Sequence, residues 1–386
     1  MLDDLPVDWE KATLVGRVAF EEGPTPVLVR EGRVADVSHI AATVSDLLAL
    51  PDPLSVEGRD VGNLGDFGFC PSWSSDRQGP QLLSPIDLQC IKAAGVTFAV
   101  SAIERVIEER AGGVAAQADD VRTRLAGRVG GDLASVLPGS AAAAELKSAL
   151  LAEGLWSQYL EVAIGPDAEI FTKAPPMASV GWGAQVGVRS DSKWNNPEPE
   201  VTLVCAPSGA AVGATLGNDV NLRDIEGRSA LLLGKAKDNN ASCALGPFIR
   251  LFDGDFTLQD IRDATVRLEV KGEDNFRLEG ISSMAQISRD PLDLLSQTIG
   301  EHHQYPDGFA LLLGTMFAPV EDRDAPGGGF THKVGDIVRI STPKLGALLN
   351  RVVVCSDAPP WRFGLSALIG NLASRGLPRP AVVGAQ

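Results

Sequence analysis

The stretch that decides the fold is residues 198–228, EPEVTLVCAPSGAAVGATLGNDVNLRDIEGR. Its two apolar runs, 201–206 and 211–216, are bounded by Pro, Gly and Asn and predict a pair of short strands. Glu198 and Glu200 stand two residues apart at the start of the first strand, so they share one face at a separation of about 7 Å. A hairpin-like return carries Asp219, at the end of the second strand, alongside them. The stretch therefore predicts three converging carboxylates.

Similar short segments on both sides extend this pattern. Strand candidates lie at 265–270 (TVRLEV), 309–314 (FALLLG) and 336–341 (DIVRIS), and three more lie within 12–38. Residues 50–82 are rich in Gly, Pro, Ser and Asp and predict an irregular connection. We therefore predict a small β-rich N-terminal domain with its linker over 1–82 and a larger second domain over 83–386.

The first part of that larger domain, residues 84–155, has a helical character. Pro85 and Asp87 predict the start of a helix that continues to residue 110, and Ser140 is a candidate cap for a helix over 140–153. Residues 156–386 form the predicted β core. Short strands without regular βαβ alternation predict an α+β fold, mainly β, with mixed or antiparallel sheets.

Charge and composition exclude several classes of function. The chain has 34 Lys and Arg against 50 Asp and Glu, a formal charge of −16, which opposes a nucleic-acid-binding surface. It has no apolar run of 18 residues and no basic, apolar leader, so neither a membrane span nor a signal peptide is expected. The five scattered cysteines favour the cytoplasm.

The three carboxylates offer hard oxygen ligands with no nearby His or Cys, which favours Mg²⁺, or Mn²⁺, over zinc. Such a cation keeps free positions for water or for a chelating substrate. Taken alone, Asp219 also fits a turn-capping aspartate before Asn221.

Three motifs in this order resemble the fumarylacetoacetate hydrolase superfamily: FTKAP at 171–175, EPE at 198–200 and GNDVNLRDIEGR at 217–228. The resemblance covers roughly residues 85–345. It implies that Glu198, Glu200 and Asp219 bind the divalent cation. It also implies a catalytic β-roll of mixed sheets, a small-molecule 2-keto acid substrate and a homodimer or homotetramer.

One departure from the family pattern bears on whether the reaction is hydrolysis or dehydration. Hydrolytic members carry G-[LV]-N-Y-x-x-H-x-x-E, whereas residues 95–104 read GVTFAVSAIE, with Glu104 retained and Ser101 at the histidine position. A serine without a neighbouring base does not activate water as imidazole does. The substitution resembles the branch that dehydrates 2-keto-3-deoxy sugar acids. That branch has a lysine 18 residues beyond the metal aspartate, which matches Lys237, although Lys235 stays an alternative.

The resemblance implies a hydro-lyase that converts 2-keto-3-deoxy-D-pentonate to 2-oxoglutarate semialdehyde in sugar-acid catabolism, through an enolate that the metal stabilises. The candidate catalytic residues are Glu104, Lys237 and Ser101, and the candidate substrate-binding residues are Thr315, Lys173 and Arg223. Arg105 and Glu108, on the same helix face as Glu104, are interpreted as solvated. Two alternatives stay open: an acylpyruvate or diketo-acid hydrolase, and a non-catalytic member that binds a metal or ligand.

Overall fold

The computed structural model describes residues 1–75, 79–125, 136–317, 319, 321–324 and 329–377. The strands in these ranges are β1 (Leu14–Phe20), β2 (Gly23–Arg30), β3 (Arg33–Asp36), β4 (Arg59–Asn63), β5 (Gln81–Leu82), β6 (Cys90–Gly95), β7 (Glu169–Ala174), β8 (Ala184–Val188), β9 (Asn195–Asn196), β10 (Pro199–Cys205), β11 (Ala211–Asp219), β12 (Asn221–Leu222), β13 (Cys243–Leu251), β14 (Thr265–Lys271), β15 (Arg277–Ser283), β16 (Phe309–Leu312), β17 (Ile337–Thr342) and β18 (Gly346–Val354). The helices are α1 (Val44–Leu48), α2 (Ala99–Arg110), α3 (Ala115–Leu125), α4 (Ala141–Ala152), α5 (Gln158–Ile164), α6 (Arg223–Glu226), α7 (Leu233–Lys237), α8 (Leu258–Arg262), α9 (Pro291–Thr298) and α10 (Leu365–Ser374).

Two large sheets and one short pair organise the described strands. The larger sheet has the order β4-β3-β2-β1-β13-β11-β10-β16-β6-β7, with β5 added beside β1. The second has the order β15-β14-β17-β18-β8, and β12 pairs with β9. Most neighbours are antiparallel, but β16 with β6 and β18 with β8 run parallel. The predicted α+β class with mixed sheets is confirmed.

The principal hydrophobic core lies between the two large sheets. Leu203 on β10, Leu216 on β11 and Phe248 on β13 pack in one cluster with Leu268 on β14 and Ile340 on β17. These side chains come from alternate positions of their strands, as one buried face of a sheet requires. A separate cluster joins helices α2 to α5. The core therefore holds β10 and β11 rigidly where they carry the carboxylates.

The N-terminal strands continue the larger sheet. In β1, Leu14 and Val15 pair with Arg250 and Ile249 of β13. Gly16 of β1 faces the ring of Phe248, where any side chain would overlap it. The domain division at residue 82 stays a prediction, and the sheet itself runs across it.

The prediction that a helix begins at Pro85 is wrong. Residues Cys90–Gly95 form strand β6, which pairs in parallel with β16, and helix α2 begins only at Ala99. Asp87 does cap a helix, but a different one: its carboxylate accepts hydrogen bonds from the amides of Val44 and Ser45 at the start of α1. Short apolar runs do not distinguish a buried strand from a helix by periodicity.

The helix predicted from Ser140 is confirmed as α4. The Ser140 hydroxyl accepts a hydrogen bond from the amide of Ala143 at 3.2 Å, which is the expected cap. None of the helices in the described ranges has the length and apolar character that crossing a bilayer requires.

Candidate functional site

The β10–β11 hairpin brings the three predicted carboxylates together. Pro199 pairs with Asn218, and the Asp219 amide donates to the carbonyl of Glu198 at 3.0 Å. Glu198, Glu200 and Asp219 are all buried, and each offers an oxygen within 4.8 Å of those of the other two. Such a cluster of hard ligands could hold a metal ion.

Two lysines lie against the carboxylates. Nζ of Lys237, at the end of α7, lies 3.1 Å from Oδ2 of Asp219 and also donates to Glu198. Nζ of Lys173, on β7, lies 2.7 Å from Oδ1 of Asp219 and donates to two backbone carbonyls. Lys235 instead faces outward, 3.4 Å from Asp191. The structure therefore brings Lys237, and not Lys235, to the candidate metal centre.

Burial and mutual repulsion set the proton affinities of the carboxylates. Burial, with the charges of Asp219 and Glu198, raises the pKa of Glu200 well above its ordinary value. For Asp219, burial acts in the same sense, but Lys173 and Lys237 outweigh it and lower the pKa. The Gly314 amide donates to Glu200 at 2.7 Å and fixes its orientation. A cation among the three carboxylates would relieve their repulsion, so this donor set fits a divalent metal.

Helix α2 places its acidic face over the same cavity. Glu104 is buried, and its Oε2 lies 3.5 Å from Nη2 of Arg223. The Ser101 hydroxyl donates to the Phe98 carbonyl at 2.8 Å and accepts from the Phe98 amide at 3.3 Å, so it closes the first turn of the helix. Both side chains line the cavity.

The expectation that Arg105 and Glu108 are solvated is wrong. The Arg105 guanidinium lies 2.6 Å from Glu198, 2.7 Å from Glu108 and 2.7 Å from Glu226. Burial alone lowers the pKa of Arg105, but the three carboxylates raise it well above its ordinary value. A buried network of ion pairs therefore connects helix α2 to the candidate metal centre.

The candidate substrate-binding residues occupy three different settings. Arg223 is buried in the same network, with Nε 2.6 Å from Glu108 and its guanidinium stacked 4.2 Å from the ring of Trp194. Thr315 lines the cavity, and its hydroxyl accepts from the Phe317 amide at 3.1 Å. Lys173 contacts the carboxylate of Asp219 from behind.

Glu169 is a site residue that the sequence interpretation missed. It begins β7 and lines the cavity with Phe171, whereas Lys173, two residues further on, contacts Asp219. Opposite it stands Gly95, where a methyl group would overlap the Glu169 carboxylate. Burial, and then the charge of Glu226, raises the pKa of Glu169 to about 7. The alternation of Glu169, Phe171 and Lys173 along one strand was the available signal.

The cavity thus combines a metal-ligand cluster, one ammonium group, two guanidinium groups and four further carboxyl groups. Its titratable lining comprises Glu104, Arg105, Glu108, Glu169, Glu198, Glu200, Asp219, Arg223, Glu226 and Lys237. No histidine is among the described residues that line it. This arrangement can bind an anionic substrate and move protons with carboxyl groups.

Known proteins with related sequences are sugar-acid dehydratases. A 2-dehydro-3-deoxy-D-arabinonate dehydratase of Saccharolobus solfataricus is 32% identical over 184 residues, 48% of this chain and 58% of that protein. A probable 2-keto-3-deoxyxylonate dehydratase of Haloferax volcanii is 30% identical over 197 residues, 50% of this chain and 63% of that protein. The chain thus spans less than two thirds of the length of these curated relatives.

Solved structures show the same fold. The apo form of 2-keto-3-deoxy-D-arabinonate dehydratase has a TM-score of 0.63 at 22% identity, covering 88% of this chain and 98% of that one. The form complexed with magnesium and 2,5-dioxopentanoate has a TM-score of 0.62 with the same coverage and identity. The model of the fumarylacetoacetate (FAA) hydrolase C-terminal family matches residues 143–353. Because this match covers more than half of the chain, the chain belongs to that family.

Proposed function

We propose that the protein is a divalent-cation-dependent dehydratase that converts a 2-keto-3-deoxy-D-pentonate to 2-oxoglutarate semialdehyde. The observation that carries this proposal is the buried cluster of Glu198, Glu200 and Asp219 in a cavity that also holds Glu104 and Glu169. The names of the curated relatives and the magnesium in a structural neighbour support it.

The three clustered carboxylates would hold Mg²⁺, with Mn²⁺ as an alternative. When bound, the cation supplies a Lewis acid that polarises the 2-oxo acid group. Lys237 adds a permanent positive charge beside Glu198 and Asp219, because those carboxylates and Glu226 raise its pKa even though burial opposes this. The ammonium group is therefore suited to hold negative charge that develops on the substrate.

Glu169 is our candidate for the base that removes the proton at C3. A carboxyl group that titrates near neutral pH is matched to proton transfer under working conditions. Its pKa of about 7 follows from burial among acidic groups, and Gly95 leaves the space that its carboxylate occupies. Glu104, which faces the same cavity beside Arg223, is the candidate for the second carboxyl group.

Two carboxyl groups are sufficient for all the proton transfers of the proposed dehydration. Glu169 takes the C3 proton, Glu104 donates a proton to the departing C4 hydroxyl, and one water leaves. The Glu104 carboxylate then takes a proton from C5, and Glu169 returns its proton to C3. This gives the C4–C5 enol, which tautomerises to the aldehyde. The net change is loss of one water, and both carboxyl groups return to their initial states.

The lining of the cavity favours dehydration over C–C hydrolysis. The hydrolytic pattern has a histidine that activates water at position 101, whereas Ser101 here is hydrogen-bonded to the backbone of Phe98. Its hydroxyl closes a helix turn and has no imidazole beside it among the described lining residues. The acylpyruvate hydrolase is therefore our second candidate.

The deciding experiment offers both substrates to the purified protein with Mg²⁺. We expect 2-keto-3-deoxy-D-arabinonate to yield 2-oxoglutarate semialdehyde, detected by its aldehyde proton in ¹H NMR, and acetylpyruvate to remain intact. Cleavage of acetylpyruvate without dehydration would contradict the proposal, and inactivity toward both would favour the non-catalytic alternative.

We also infer from the family resemblance that the protein is a cytoplasmic homodimer or homotetramer. Light scattering tests the oligomeric state, and cell fractionation tests the location.

A further inference from the structure

A second cavity, of about 570 Å³, lies between strand β1 and the segment that leads into helix α10. It shares no lining residue with the catalytic cavity. Pro360, Trp361 and Phe363 form much of its apolar wall, and Arg17 also lines it. This volume falls within the range of pockets that bind small organic ligands. The cavity therefore has room for a molecule considerably larger than water.

Arg17 is a buried cation with little local compensation. Its side chain is 5% exposed, and Nη1 donates to the sulfur of Met177 at 3.4 Å. Its Nε has no hydrogen-bond partner among the residues that the structure describes. A thioether is a weak acceptor, and a guanidinium carries five N–H donors. Met177 holds its sulfur there from a left-handed backbone conformation, with φ of 69°.

Asp87 offsets part of the effect of burial on the charge of Arg17, but its hydrogen bonds go to other groups. Burial lowers the pKa of Arg17, and Asp87 acts in the opposite sense. The Asp87 carboxylate accepts hydrogen bonds from the amides of Val44, Ser45 and Leu88 instead. Buried guanidinium groups are ordinarily paired through charged hydrogen bonds. Arg17 thus lines the cavity with one N–H donor, Nε, that has no acceptor among the described residues, and with a second, Nη1, on a weak acceptor.

Two serines in the lining suit the same kind of ligand, and Arg362 also lines the cavity. Ser84 and Ser179 line the cavity with their hydroxyls 2.7 Å apart, and one of the two can turn its proton toward an acceptor. An arginine fork matches the two oxygens of a carboxylate. We propose that this cavity binds a small organic carboxylate, with the charged end on Arg17 and an apolar body against Trp361 and Phe363.

Calorimetric titration with benzoate tests the proposal. We expect benzoate to bind the metal-free protein, acetate to bind more weakly because it lacks the apolar body, and neutral benzamide to bind more weakly because it lacks the charge. Arg17→Met should weaken benzoate binding on the order of tenfold or more, since it removes the charged hydrogen bonds. The matched control, Arg33→Met on the exposed surface of β3, should bind as the wild type does.

Two further variants make the result decisive. Glu200→Gln alters the catalytic cavity and should leave benzoate binding unchanged; a loss there would place the probe in the catalytic site and overturn the proposal. Trp361→Ala removes a half-exposed side chain and should weaken binding even if Arg17→Met fails to fold. Absence of benzoate binding, equal affinity for benzamide, or unchanged affinity in folded Arg17→Met would each overturn it. The benzoate titrations use no substrate of the dehydratase. Failure of the dehydratase assay would therefore leave the proposed carboxylate site unaffected.

Discussion

Arg105 and Glu198 form a direct ion pair, with Nη2 of the arginine 2.6 Å from Oε1 of the glutamate. The pair joins helix α2, which carries Glu104, to the hairpin that carries the candidate metal ligands. The same guanidinium reaches Glu108 and Glu226. One side chain on α2 therefore compensates three buried carboxylates.

Replacement of Arg105 by Gln should destabilise the protein strongly. It leaves the buried Glu226 carboxylate without its ion-pair partner and removes one of two cations from Glu108 and from Glu198. The expected loss in the free energy of unfolding is about 3 kcal/mol. Urea denaturation followed by circular dichroism measures this loss. Arg110→Gln, an exposed change on the same helix, should stay near the wild type. Equal stability of both variants would show that the network does not hold α2.

Addition of Mg²⁺ should raise the melting temperature of protein treated with EDTA. A ligand at 100 times its dissociation constant stabilises the folded state by about 2.7 kcal/mol. Glu200→Gln should abolish the shift, because it removes one of three clustered oxygen donors. Glu279→Gln, an exposed change on β15, should preserve it. A full shift in Glu200→Gln would place the cation elsewhere.

Lys237→Met should lower kcat/KM by about 100-fold, a typical effect of removing a charged group that stabilises a transition state. Lys235→Met is the matched control, because that ammonium lies at the surface beside Asp191. Steady-state assays on the pentonate substrate compare the two. Similar losses in both variants would contradict the assignment of Lys237.

Glu169→Gln should lower kcat by about 10²- to 10⁴-fold with a smaller effect on KM, as expected for loss of a general base. Glu104→Gln, assayed in parallel, tests the second carboxyl group. Exposed Glu153→Gln serves as the control. Solvent deuterium exchange at C3 of the substrate, followed by NMR, should also stop in Glu169→Gln. Retained exchange in that variant would assign the base to another residue.

The ion pair between Asp8 and Arg250 should make stability depend on pH in acid. Burial raises the pKa of Asp8, but hydrogen bonds and charge from Arg250 and Lys344 lower it from 3.8 to about 2. A depressed folded-state pKa stabilises the protein above the unfolded value, and that stabilisation is lost as the pH falls toward 2. Asp8→Asn should therefore be less stable at pH 7, with the gap closing in acid. Asp3→Asn, in an exposed position, is the control for denaturation curves at each pH.

The parts of the site that are local in sequence were predictable. Glu198, Glu200 and Asp219 belong to one hairpin, so the strand period and a single turn suffice to bring them together. The family spacing points to Lys237, which is buried, whereas Lys235 lies at the surface beside Asp191. An extended segment would have left the two lysines equivalent. The segment is instead the short helix α7.

The parts that depend on distant pairing were not predictable from the residues alone. Glu169 reaches the cavity because β7 pairs with β6, whose Gly95 leaves room for it. The burial of Arg105 depends on the packing of α2 against residues about 90 to 120 positions later in the chain. Helical periodicity gives the shared face of these residues but not what covers that face. The expected helix over β6 is wrong for a different reason, because periodicity does not distinguish a short apolar strand from a helix.

The short contact of β1 with β13 has a consequence for handling the protein. A truncated form that starts at residue 83 would uncover the ladder edge at Ile249 and Arg250, together with the ring of Phe248. Open edges next to apolar surface recruit strands from other molecules. The amino-terminal strands thus cover this edge of the larger sheet, and we expect expression of the shortened chain to yield aggregates.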